Sequence, residues 1–173
     1  IFNDEAVRHK ILDLIGDNGL IAVPTFNFDF AQGIDFDVDN SPSKGMGVFS
    51  EFIRKSSNSK RTRHPMHSIS ILGKNSDYIA NLEGDTEFSE GSAFDHLLKK
   101  NCKILFLGDC FTETFFHIAE EKAKVPYRFW KTFKGNLIKD SIKKKIEIQY
   151  YARNLGIKPE PRIDLDKLFK FLS

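Results

Sequence analysis

The chain has 173 residues, 40% of them hydrophobic and 29% charged, which suits one folded domain with a real core and excludes a disordered or fibrous polypeptide. A net charge of +2, with basic runs no longer than Lys60 to Arg63 and Lys143 to Lys145, gives no electrostatic case for nucleic acid. No stretch reaches the roughly 20 apolar residues that span a bilayer, and no signal-peptide pattern is present. The two cysteines, Cys102 and Cys110, flank an apolar run and fit a reducing cytoplasm better than a disulfide scaffold, so a cytoplasmic location is expected.

The chain opens at Ile1 and enters a helix almost at once, as expected of a piece of a longer protein. Asn3 or Asp4 can cap that helix, whose apolar face is Val7, Ile11, Leu14 and Ile15 and which Gly16 ends. Leu20 to Val23 is a continuous apolar run that reads as a central strand. A long loop carrying Asp29, Asp35, Asp37 and Asp39 follows; it lacks the glycine turn and distal glutamate of a calcium loop, so solvation is the expected role of its acids. Ser41 to Gly47 then introduces a helix with Val48, Phe49, Phe52 and Ile53 on one face.

Two of the five histidines lie in Arg63-His64-Pro65-Met66-His67-Ser68, directly before Ile69 to Gly73, a short β-branched run that reads as a buried strand. Pro65 biases His64 toward an extended conformation, so both imidazoles stand where a loop enters a sheet. Asp77 to Leu82 predicts a short helix or turn, and Glu83 to Gly91 an acidic loop. Ser92 to Asp95 fits a capping box for a helix with Phe94, Leu97 and Leu98. Lys103 to Leu107 reads as a further buried strand, which opens into a helix capped by Thr112. On that helix Thr114, His117 and Glu121 share a face, with Glu120 adjacent. From Phe129 onward the pattern alternates, with Ile146, Ile148 and Tyr150 on one side of an antiparallel strand, and a closing helix with Leu165, Leu168, Phe169 and Leu172 ends the chain. The expected fold is α/β: a mainly parallel central sheet flanked by helices, with an antiparallel C-terminal extension, all in one domain over residues 1–173.

With these residues together, the chain resembles the aminoglycoside 3-N-acetyltransferase family, the antibiotic N-acetyltransferase fold. The matching pieces occur in order: Val23-Pro24-Thr25-Phe26; Ser41-Pro42-Ser43 with Met46-Gly47; Arg63 to Ser68; Gly91-Ser92 before Phe94-Asp95; Ile104 to Gly108; and Thr114 to Glu120. The resemblance implies acetyl transfer from acetyl-CoA to a sugar amine, with no metal. It places Thr25, Ser43, Met46, Gly47, Ser68 and Thr114 along the coenzyme, and His64, His67, His117 and Glu120 at the amine. A sugar amine is mostly protonated at neutral pH, so it needs a base before it can attack a thioester, and a carboxylate can hold the tautomer of a histidine base. Of the two histidines in the proline motif, His67 is expected nearer the amine and His64 to be held by the fold. The resemblance also marks departures: no His-Ser-Ser-Leu-like first strand, and Leu82 and Glu83 where many members place a histidine.

The acceptor is expected to be a small-molecule amino sugar, nucleotide-linked in a surface-polysaccharide pathway, more than an antibiotic. Lys44, Arg54, Lys55, Lys60, Arg61 and Arg63 cluster in sequence near the coenzyme motifs and suit phosphates. Two other classes stay open from the sequence: a non-catalytic sugar-binding module with a decayed site, and a metal-dependent hydrolase using His64, His67, His117 and a carboxylate. A homo-oligomer is compatible with either.

Overall fold

The computed structural model describes residues 3–107 and 114–157. Helix α1 spans Asp4–Ile15; the Asn3 side chain accepts the Ala6 N–H, and Gly16, at φ 68°, donates its N–H to Leu12. Its inward residues are Val7, Ile11 and Leu12, whereas Leu14 is 85% exposed. The face predicted through Leu14 and Ile15 is therefore rotated by part of a turn, because Leu12 lies beside Ile11 on the side that meets the sheet.

Strand β1 (Leu20–Pro24), the two-residue β3 (Lys60–Arg61) and β4 (Ile69–Gly73) form one sheet in the order β1-β4-β3. Both pairings are antiparallel, with Leu20 opposite Gly73 and Pro24 opposite Ile69. This corrects the expectation of a mainly parallel sheet. Continuous apolar runs report burial on both faces, and antiparallel strands covered on both faces read the same way. Both faces are covered here. Ile21, Val23 and Leu72 pack with Ile53 of α2 (Val48–Arg54) and with Ile11 and Leu12 of α1. Ile69 and Ile71 face α3 (Ser76–Ala80), α4 (Ala93–Lys99) and α5 (Phe116–Ala123) through Ile79, Phe94, Leu97 and Ile118. Ser92 caps α4 as predicted, accepting the Asp95 N–H at 3.2 Å, while the Asp95 carboxylate accepts the N–H of Gly91.

A second sheet joins β2 (Phe36–Asp37), β5 (Arg128–Lys139) and β6 (Ile142–Arg153). The β5–β6 hairpin is antiparallel, as the alternation predicts, and turns at Asp140 and Ser141, both at positive φ (50° and 63°). Its inward residues Phe133, Leu137, Ile146, Ile148 and Tyr150 cover Phe30, Phe36, Val38 and Met66. Gly135 lets the hairpin come close, since a Cβ there would stand 2.6 Å from the Phe30 ring.

The predicted strand at Lys103 to Leu107 does not form. The segment is without regular structure, and Leu105 is 63% exposed. A β-branched apolar run records a tendency to be buried in a sheet; forming a strand also needs an adjoining strand, and the segment joins neither of the two described sheets. The Thr112 cap, Cys110 and the closing helix lie outside the described residues.

Candidate active site

Three of the resembling segments lie side by side. The Thr25 N–H donates to Ser68 O (2.9 Å) and the Asn27 N–H to Met66 O (3.2 Å), so the residues after β1 continue pairing with the loop before β4. The 41–47 loop is tied to the same segment: Lys44 N–H donates to Phe26 O (2.8 Å), and Asn27 Nδ2 to Pro42 O (2.8 Å). Proline at positions 24, 42 and 65 stops regular structure at each place, which leaves backbone groups available for these cross-links.

Arg61 locks the junction. Its guanidinium is buried and donates to the hydroxyl groups of Thr25 (3.2 Å) and Ser68 (2.9 Å), and to the carbonyls of Thr25, Val38 and Ser41; it also lies over the Phe36 ring at 4.8 Å. Burial, followed by the charge of Arg54, lowers its pKa to about 10, so it remains a cation at neutral pH. Thr25 and Ser68 are fully enclosed and spend their hydroxyls on this network. Two of the six residues predicted along the coenzyme thus sit inside the scaffold of the site.

His67, 6% exposed, stands in an aromatic box. Ring centroids of Phe26, Phe28, Phe88 and Tyr150 lie 4.8, 5.4, 5.3 and 5.2 Å away, with Tyr150 nearly parallel at 26°. His64 stacks at 6.0 Å on one side and His117 lies at 6.2 Å on another, so the three sequence-predicted histidines do converge. His64 Nδ1 accepts the backbone N–H of His67 at 3.0 Å, which leaves the ring proton of a neutral imidazole on Nε2. Nε2 of His64 and Nδ1 of His67 are buried without a hydrogen-bond partner among the described residues. Burial pushes His64 down to about 3; burial, then the charges of His64, His117 and Arg128, holds His67 well below the usual histidine range. Both are neutral at physiological pH.

The other pair has the opposite character. Glu120 Oε2 accepts from His117 Nδ1 at 2.5 Å and forms an ion pair with Arg128, whose Nε is 2.9 Å away, while Oε1 accepts the Tyr127 hydroxyl at 3.0 Å. Burial raises the Glu120 pKa, but His117, Arg128 and Tyr127 outweigh it, and the group ends below the usual glutamate range. An ionised carboxylate only accepts, so the short contact assigns the proton to His117 Nδ1 and puts the lone pair of a neutral ring on Nε2. Arg128 Nη2, 3.1 Å from Nδ1, is then a charge neighbour and not a donor to it. The His117 side chain is 31% exposed, the most open of the three.

Ser43, Met46 and Gly47 line a groove of about 560 Å³ with Gly45, Val48 and Phe52. Gly45 and Gly47 have φ of 73° and 82°, a backbone that keeps side chains away from this edge. Ser43 donates its hydroxyl (2.8 Å) and its N–H (3.1 Å) to Glu51, which Arg54 and Ser43 hold far below the usual carboxylate range. Thr114 precedes α5, its carbonyl accepting the His117 N–H at 3.0 Å. The basic cluster is largely committed: Lys44 pairs with Asp29, Arg54 and Lys55 with Glu51, Lys60 with Asp77, and Arg63 with Glu83. Arg54, Lys55, Lys60, Arg63 and Lys139 still rim a second groove of about 880 Å³, against Asp39, Asp77 and Asp140.

Sequence reasoning missed Glu87, Tyr127 and Arg128. Glu87 acts on His64 from 23 residues away, and Tyr127 and Arg128 follow α5 at its far end and reach back to Glu120 and His117 at no helical or strand spacing. Tyr150 was legible as an inward position of the hairpin.

The sequence model of the aminoglycoside 3-N-acetyltransferase family matches residues 3–164. Among solved structures, the chain is similar to AAC-IIIb in its binary complex with CoASH, at TM-score 0.81 and 20% identity over 98% of this chain and 71% of that one. It is similar to AAC-VIa bound to sisomicin (TM-score 0.73, 20% identity, 88% and 64%) and to the YokD protein from Bacillus subtilis (TM-score 0.72, 21% identity, 87% and 68%). The chain therefore spans between 64% and 71% of these three relatives. Acetyl-CoA is the acetyl donor of the matched family. The α/β layout, the converging histidines and the match over nearly the whole length lead to one conclusion: the chain belongs to the aminoglycoside 3-N-acetyltransferase family.

Proposed function

We propose that residues 1–173 act as one N-acetyltransferase domain that acetylates an amino group on a sugar, an amino sugar or an aminoglycoside, with His117 as the general base. The observation that carries this reading is the His117–Glu120 pair, in which an ionised carboxylate fixes the Nδ1–H tautomer of a half-open imidazole. His117 Nε2 accepts a proton from the bound ammonium, and the freed amine attacks the acetyl carbonyl. The C–N bond forms as the C–S bond breaks, and the thiol leaves with a proton. Acetyl-CoA supplies the activated acetyl group. Ser43, Met46 and Gly47 would hold its arm in the 560 Å³ groove, whose loop is tied to Phe26 beside His67. Thr25 and Ser68 act one layer behind, through Arg61.

His67 takes a different part from the one its motif suggests. A base works best with a pKa near the operating pH, and burial removes His67 from that range. A neutral imidazole is still a hydrogen-bond donor, and His67 offers an N–H to the oxygen on which charge builds during transfer. The acceptor is favoured as a phosphate-bearing amino sugar by the cations around the 880 Å³ groove, Arg54, Lys55, Lys60, Arg61, Arg63 and Lys139. Support for a polycationic acceptor comes from the relative that is bound to sisomicin. The test is thiol release with acetyl-CoA and a panel of nucleotide amino sugars and aminoglycosides, for the wild type and His117→Ala. Transfer that His117→Ala preserves rejects the base assignment; faster transfer to aminoglycosides rejects the acceptor assignment. No transfer to any acceptor favours the binding-module reading.

A further inference from the structure

Glu87 is a carboxyl that the proposed reaction does not use, and it stands where an ionised carboxylate is costly. It lies in the loop between α3 and α4, 9% exposed, with Oε2 3.5 Å from His64 Nδ1. That nitrogen already accepts the His67 N–H, so it carries a lone pair and no proton. A carboxylate there would set two acceptors face to face in a buried place, and Glu121 of α5 adds like charge. Glu121 itself accepts the Thr86 hydroxyl at 2.6 Å and so does not relieve Glu87.

Both conflicts disappear if Glu87 holds a proton. We propose that Glu87 is a positioning residue, a neutral carboxylic acid whose O–H is aimed at His64 Nδ1 and which locks the His64 ring against the backbone of His67. Burial and Glu121 together push its acid well above the usual range, in the same sense. At 3.5 Å the acid is the weaker of the two donors to Nδ1. It therefore acts on ring orientation and tautomer and carries no proton to the substrate. His64 is held as the Nε2–H imidazole, and its grip on the His67 N–H fixes the turn from which His67 enters the aromatic box. The effect on turnover rests on the acetyltransferase reading above; the protonation state of Glu87 does not.

Three measurements test this. The infrared difference spectrum of wild type minus Glu87→Gln at neutral pH should contain a carboxylic-acid carbonyl band. Nitrogen-15 spectra of labelled histidine should show His64 as the Nε2–H tautomer in wild type and in Glu87→Gln, whose amide N–H replaces the acid, and altered His64 signals in Glu87→Leu. In acetyl transfer, Glu87→Gln should keep kcat within about twofold, while Glu87→Leu loses about tenfold in kcat with little change in KM. Absence of the acid band in wild type overturns the proposal, as does a Gln variant as impaired as Leu, because charge would then be what matters. A Leu variant equal to wild type in both tautomer and turnover also overturns it. If the wild type transfers acetyl to no acceptor, the acetyltransferase reading fails, while the infrared and nitrogen-15 arms still decide the state of Glu87.

Discussion

On α5, His117 shares an ionised glutamate with an arginine and a tyrosine and stays open to solvent. A ring-stacking distance beyond His67, His64 meets a glutamate of its own, but this pair is buried, and burial drives both members to their neutral forms. The residue types are the same in the two regions. What separates them first is burial, far deeper at Glu87 than at Glu120; the His117 hydrogen bond and Arg128 then stabilise the anion at Glu120, and Glu121 adds to its cost at Glu87. The comparison teaches that burial comes first, and the neighbouring charges second, in deciding whether a histidine–carboxylate contact stays ionised or turns neutral.

Removing the charged pair should cost most. His117→Ala should lower kcat/KM by about 10³-fold, within the range expected for a general base, and leave the melting temperature nearly unchanged because the ring is partly exposed. Next in size is His67→Phe, which keeps the aromatic box but deletes the N–H. It should lower kcat by about 10²-fold, and leave the acidic limb of the kcat/KM–pH profile where it is in wild type, since His67 does not titrate there. A shift of that limb in His67→Phe would erase the distinction between the two pairs. His67→Ala should add a stability loss of about 2–4 kcal/mol by leaving a cavity among Phe26, Phe88 and Tyr150.

A separate effect is the dependence of stability on pH. His64 and His67 have folded pKa values below the ordinary 6.5, so as pH falls below 6.5 the unfolded chain gains protons that the folded chain refuses. Stability should fall on acidification by up to about 1.4 kcal/mol per pH unit for each histidine. Glu87, raised above 4.5, acts the other way: stability is lost as pH rises from 4.5 through its folded pKa, because the folded state alone keeps the proton. With Glu87 still protonated at neutral pH, as proposed, stability from these three groups should rise with pH to about 6.5 and then decline. Urea titrations from acid to mildly alkaline pH should show that Glu87→Gln removes the decline and leaves the acidic fall. A decline that persists in Glu87→Gln would mean that Glu87 ionises as freely folded as unfolded.

Much of this was legible in one dimension. The caps at Asn3, Gly16 and Ser92 follow from side-chain and glycine chemistry that acts within four residues, and the strands at Leu20 to Val23 and Ile69 to Leu72 from uninterrupted apolar runs. The hairpin announces itself by alternation, and the histidines of the proline motif and of α5 by motif resemblance. Local chemistry of this kind determines what each segment tends to become.

Tertiary structure decided the rest, because direction, partner and charge environment depend on residues distant in the chain. The apolar runs of β1 and β4 carry no record of relative direction, and they pair antiparallel. Lys103 to Leu107 has the composition of a strand and forms none among the described residues, since a strand requires a neighbour as well as a tendency. Thr25 and Ser68 look like surface hydroxyls at loop ends until Arg61, 36 residues from one and 7 from the other, draws both inside. Glu87 and Glu120 are chemically identical in sequence; their surroundings, assembled from separate loops, strands and helices, make one an anion and leave the other an acid, since the free energy of a buried charge is set by whatever the fold brings within a few ångströms of it.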